Sequence, residues 1–316
     1  MANFFKMVQS CKRKGITRVG VRSALLPAIA SIVILSGLIF THKAYALTNV
    51  TSCSVLNIPG ETYNVINNII SPVVGGTCLD ISADNITLDC QNFTIVGNGS
   101  LNDGSAGIRL NQVRGVTVKN CIVQKFQTGI HDVGNGASGG NRFAQNTANN
   151  NGDVGIIVGD SIGDIVILNT ANGNGGGFPG ISGTGIVISG GSGNTLEENT
   201  ANINIGNGIV VFVSINNHVI GNTAVNNTLE GILVNDSDDN DLNSNRVTRN
   251  GNNGILLLAN SFNNSVKRNT ATANGQFGYN DFTFDGISVR NIFQDNKCAS
   301  NGSGGSNPSG LCAPQP

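Results

Sequence analysis

Arg109, His131 and Asp132 are the residues of this 316-residue chain whose types and spacing best suit proton transfer. Arg109 and His131 each follow a Gly-Ile step, at Ile108 and Ile130, so equivalent positions of successive structural units place one above the other. A base of that kind beside acids that hold calcium is what a polysaccharide lyase needs. Hydrolysis would instead need grouped carboxylates to act as acid and base. Asp153 and Asp160 lie one unit further along. With Arg109 and His131 they form a polar set able to grip a uronic-acid or neutral sugar. Against this stands the ordinary fate of charged residues, which is to be solvated on the surface.

A second candidate is the run NDSDDND, in which Asp236, Asp238, Asp239 and Asp241 fall within one turn and offer the oxygen ligands that calcium prefers. The units on either side carry Ser214 to His218 and Asn260 to Asn264, with no acids to complete the shell. No other cofactor is expected. Cys-x-x-Cys, phosphate-loop and nucleophile motifs are missing from the sequence.

These residues sit on a repeat. Asn194 and Asn199, Asn217 and Asn222, and Asn240 and Asn245 follow one another at 23 residues, and Gly185-Ile186, Gly208-Ile209 and Gly231-Ile232 keep the same count. A fixed period of short apolar alternations separated by Asn and Gly is the mark of a solenoid with one coil per repeat. The unit reads N-x-φ-x-x-N-T-A-x-x-N, then a Gly-Ile step nine residues after the middle Asn. The φ position (Phe143, Val166, Leu196, Val219, Leu242), the Ala after Asn-Thr and the Ile of Gly-Ile should point inward. The expected fold is all-β: a single-stranded, right-handed parallel β-helix of about nine to ten coils, three short strands per coil, rising about 4.8 Å per coil. Asn120, Asn146, Asn169, Asn199, Asn222, Asn245, Asn269 and Asn296 mark successive coils, and an internal ladder of these amides is expected. Irregular coils are expected over 53–115, regular repeats over 141–274, the β-helix as a whole over 47–300, and a C-terminal tail or cap over 301–316.

Alternation along each strand sends the residue after Gly-Ile outward. Above Arg109 and His131 that position holds Ile157, Val187, Val210, Leu233 and Leu256, with Phe212 and Leu258 two residues on. This is an exposed apolar strip large enough to suggest a partner, self-association, or a cover from Gly175–Gly183 or Phe277–Phe284.

Residues 1–46 have a basic lead (Lys12, Arg13, Lys14, Arg18, Arg22), an apolar run from Ala24 to Phe40 and the small-residue site Ala44-Tyr45-Ala46. They read as a secretory signal cleaved after Ala46, with a retained membrane anchor as the alternative. The remainder carries eleven Lys and Arg against 19 Asp and Glu, a net charge of −8 that argues against a nucleic-acid partner. Its six cysteines cluster near the two ends of the repeat, where a solenoid lacks a neighbouring coil. After export they should pair as Cys53–Cys78, Cys90–Cys121 and Cys298–Cys312.

Repeats such as NTLEENTANINIGNGI and NHVIGNTAVNNTLEGI resemble the NosD-like right-handed parallel β-helix proteins of the wider pectate-lyase-like group, from about Cys53 to Cys298. The resemblance implies the fold and points to an accessory role in copper delivery. That role finds no ligands here: both Met residues lie in 1–46, and only His131 and His218 follow. The expected function is binding of an extended glycan or another envelope component. The alternatives are a polysaccharide lyase, hydrolase or epimerase using the Arg109–His131 face, and a structural rod, adhesin-like or ice-binding. For the last, Thr147, Thr170, Thr200, Thr223 and Thr270 form an outward column that Arg246 interrupts.

Overall fold

In a computed structural model the described residues are 47–72, 74–176, 183–258, 260–283 and 291–314. The segment read as a signal lies outside them.

Each coil turns three corners with the same two-residue device. A residue with positive φ makes the bend, and the residue after it turns its side chain inward. At the first corner Gly140, Gly163, Gly193 and Asn216 bend the chain before Asn141, Asp164, Asn194 and Asn217. Gln145, Leu168, Glu198 and Gly221 do so before Asn146, Asn169, Asn199 and Asn222. At the third, Asn150, Gly173, Ile203 and Asn226 precede Asn151, Asn174, Asn204 and Asn227. Gly or Asn takes up a left-handed backbone at little cost. At many of these corners the repeat spends other residues there, because the inward amide holds the corner in place.

The amides form three ladders rather than one. In the middle ladder Asn199 donates its backbone N–H (2.9 Å) and its Nδ2 (3.0 Å) to Oδ1 of Asn222, which donates both groups in turn to Asn245 (2.9 and 3.1 Å). The Asn204–Asn227–Asn250–Asn274 row repeats this at the third corner. Asn217–Asn240–Asn264–Asn291 repeats it at the first. Buried polar groups are tolerated only when paired, and here each row pairs itself.

Between corners run short parallel strands. Two sheets have eleven strands each, describing about ten turns, and the third is split into a four-stranded and a five-stranded piece joined by isolated bridges through Thr147, Thr170, Thr200 and Thr223. The inward φ residues from Phe143 to Val266, the inward Ala residues and the inward Ile residues are fully buried in one continuous apolar column.

Asn120 is not a rung. It bends the backbone (φ 55°), and Cys121 takes the inward place, donating its N–H to Oδ1 of Asn146 at 3.0 Å. The ladder therefore starts at Asn146, and the Cys90–Cys121 disulfide occupies the column below it. Cys53–Cys78 and Cys298–Cys312 are the other bridges. At the C-terminal end Gly304–Asn307 pairs with Phe277–Asp281, and Ala313–Pro314 with Lys297–Ala299, so these residues extend the sheets.

A candidate glycan groove on the second sheet

The second sheet stacks Ser54–Leu56, Thr77–Ile81, Ala106–Asn111, Thr128–Val133, Val154–Gly159, Thr184–Ser189, Ile209–Phe212 and Ile232–Asn235 in that order. Register places Val55, Asp80, Arg109, His131, Ile157, Val187, Val210 and Leu233 in one outward column. At strand spacing this column is roughly 34 Å long.

Three adjoining hollows follow it. The first, about 480 Å³, is lined by Val55, Asp80, Gly104 and Arg109 among others. The second, about 300 Å³, also touches Gly104 and is lined by Ser105, Gln127, Thr128, His131 and Asp153. It meets the third at Val154 and Ile157. That one, about 240 Å³, is bounded by Val187, Val210, Phe212 and Leu233 with Thr184, Ser189 and Asn235.

Arg109 is committed to Asp80. Its Nε and Nη2 donate to the two carboxylate oxygens at 2.9 Å each, a bidentate pair. Asp80 was missed in the sequence because its coil lacks the Gly-Ile step, although Leu79 and Ile81 on either side point inward. Burial pushes the His131 imidazole below its ordinary value; Asp132 opposes this and Arg109 adds to it. His131 is therefore neutral at pH 7. Burial pushes the Asp153 carboxyl up, against hydrogen bonds from the Gly183 backbone and Gln127.

Asp132 does not belong to this face. It directly follows His131 in the strand, so alternation turns it inward, where it is fully buried. One of its oxygens accepts from Ser161 Oγ (2.8 Å) and Asn141 Nδ2 (3.3 Å). Its other oxygen and Oδ2 of Asp164 have no donor among the described residues, yet the two side chains lie within hydrogen-bonding reach of each other. Two bare carboxylates would repel each other here, which favours a proton on Asp164. Burial and then Asp132 push Asp164 up to about 8. Asp164 is the one acidic rung among the first-corner asparagines, and its Oδ1 accepts from the Asn141 N–H at 2.7 Å as an amide oxygen would. Asp160 is exposed at a corner (φ 48°), away from His131 and Asp153.

The acidic run does not converge. Asp236 accepts from Asn260 Nδ2 (3.0 Å), Asp238 from the Phe262 N–H (2.6 Å) and Asp241 from Ser265 Oγ (3.0 Å), while Asp239 forms the bend. The carboxylates of Asp236, Asp238 and Asp241 are used between coils, and no group of three potential metal ligands gathers among the described residues.

The apolar strip is a cleft floor rather than an open patch. Val210 is 9% exposed and Leu256 6%, with Ile157, Val187 and Leu233 half-buried. Stacking at strand spacing makes each aliphatic cover the next. Phe277–Asp281 is no cover: it is the next strand of the sheet, with Tyr279 inward and edge-on to Phe293 (6.4 Å). Phe284 and most of Gly175–Gly183 lie outside the described residues.

The model of the right-handed β-helix region matches residues 82–238 and 178–297. The chain belongs to that family. No curated protein matches it. Among solved structures it is similar to a mutant of the periplasmic alginate epimerase AlgG (18% identity, 80% of this chain and 74% of that one, TM-score 0.56). The Dettilon tailspike protein is another (19%, 85% and 60%, TM-score 0.66). So is the A-module of the Azotobacter vinelandii mannuronan C-5 epimerase AlgE4 (14%, 80% and 88%, TM-score 0.52). At these identities the likeness concerns the fold.

Proposed function

We propose that this right-handed β-helix protein is exported and binds an extended glycan along the second sheet. The observation that carries the reading is the run of three adjoining hollows, polar at Arg109 and His131 and apolar from Ile157 to Leu233. A long concave surface with an apolar floor and a few polar groups at its sides suits a polymer of sugars. The names of two of the similar structures, an alginate epimerase and a mannuronan epimerase, agree with a polysaccharide target. Three disulfides fit an oxidising compartment. Export would remove residues 1–46, and amino-terminal sequencing of the secreted protein should begin at Leu47. Within the family we read the chain as NosD-like, on the resemblance of its repeats, and the copper role is no part of that reading.

The test is retardation of the protein in gels containing individual polysaccharides. Retardation by at least one of them, reduced about tenfold by Phe212→Ala, is the expected result; uniform migration in all of them refutes the reading. A second reading, epimerase or lyase action, is favoured by the neutral imidazole of His131 beside Arg109. It requires His131 to take the proton, since Arg109 is tied to Asp80. Absorbance of an unsaturated product, or proton exchange at a sugar carbon, abolished by His131→Ala would establish it. A rod without ligand is what remains if neither binding nor product is found.

A further inference from the structure

We infer that the polysaccharide held in this groove is an uncharged one. The inference rests on the glycan-binding reading and concerns which class of glycan the groove admits.

Arg109 is the single cation among the described residues lining the three hollows, and its charge is neutralised by Asp80, which takes the Nε–Nη2 edge. The other described cations lie elsewhere. Lys119, Arg142 and Lys267 are on the first sheet and Arg246 and Lys297 on the third. Arg114, Lys125, Arg249 and Arg268 lie in the segments between strands. The middle hollow instead holds Asp153, beside an imidazole that burial keeps neutral.

A polyuronate carries one carboxylate on every sugar. Laid along this column, its charges would meet the already neutralised Asp80–Arg109 pair and Asp153 at one end and bare aliphatics over the rest. An unpaired charge against apolar surface loses hydration with nothing to replace it. The net charge of −8 beyond residue 46 repels a polyanion before contact. An uncharged sugar meets neither obstacle. Its C–H face can rest on Val187, Val210, Leu233 and Phe212, while its hydroxyls reach Thr184, Ser189 and Asn235 at the sides. At the polar end Gln127 and Thr128 offer the same kind of contact, with His131 between them.

The experiment is affinity electrophoresis of the secreted protein in gels containing galactomannan or a neutral β-glucan on one side, and alginate or polygalacturonate on the other. Each is run at low and high salt. Retardation by a neutral polymer, unchanged by salt and reduced about tenfold in Phe212→Ala and in Val210→Lys, is the expected result. Phe212 is exposed, so its truncation leaves the fold intact, and a thermal melt checks Val210→Lys. Preferential retardation by a polyuronate, weakening with salt, overturns the inference and leaves the glycan reading standing. Neutral binding that survives both variants places the sugar elsewhere and overturns it too. Migration unaffected by every polymer removes both.

Discussion

Replacing Asn222 by Ala in the middle of the ladder tests what holds the coils in register. The side chain makes four bonds: its Oδ1 accepts from Asn199 N (2.9 Å) and Asn199 Nδ2 (3.0 Å), and its Nδ2 donates to Leu196 O (2.9 Å) and Asn245 Oδ1 (3.1 Å). Their loss is uneven. Asn199 Nδ2 keeps Val166 O, and Asn245 Oδ1 keeps the Asn222 N–H. Asn199 N and Leu196 O lose their side-chain partner in a site that water does not reach. At about 1–3 kcal/mol for each of the two groups left unsatisfied, the expected cost is about 2–6 kcal/mol. For a domain of this size that lowers the melting temperature by roughly 5–15 °C. His218→Ala, at an exposed position one coil-face away, should stay within about 0.5 kcal/mol. Thermal and urea unfolding of both variants give the comparison. If Asn222→Ala melts with the parent, the amide rows are ornaments of the turns and not their support.

Asp164 predicts a pH dependence. Its carboxyl titrates near 8 in the folded chain against 3.8 when unfolded, so between those values the folded state holds the extra proton. Its contribution to stability is therefore full below about pH 4, declines as pH rises and is gone above about 8. Asp164→Asn should abolish that decline, and parallel melting-temperature curves for parent and variant across this window would refute the protonated Asp164. Ile203 is β-branched yet sits at φ 58° with 63% exposure, so Ile203→Asn should raise stability by about 1 kcal/mol, read from the urea midpoint. Reduction of Cys298–Cys312, which ties the last strand across a 14-residue separation, should make 297–314 the first segment cut by a protease, mapped by mass spectrometry.

Periodicity made the coils legible because every third of a coil repeats one small decision: bend, bury an amide, run three residues. That rule also explains where the reading slipped. Asn120 matches the consensus by type, but the inward place belongs to the residue after the bend, and only the backbone shows that Cys121 holds it. Asp132 was grouped with His131 by adjacency in sequence, whereas a strand sends neighbours to opposite faces. The aliphatic column was visible, but not its concavity, since the flanking Thr184, Phe212 and Asn235 come from strand ends whose curvature no pattern of types records. Asp80 lay in a coil too irregular to align by eye, and its partnership with Arg109 needed the register of the sheet.

The three amide rows have a consequence for how long such a molecule can be. In the middle and third-corner rows each rung offers the next an identical pair of donors and receives an identical acceptor, so none of these rungs carries information about its address. Excising the whole repeat from Thr200 to Asn222 would bring Asn199 face to face with Asn245, a partner indistinguishable from the one it lost. Chain length is thus adjustable in steps of one coil, and with it the span of the groove, while the disulfides clamp only the ends. The protein is built as a ruler, and a lineage can lengthen or shorten its reach without redesigning a core.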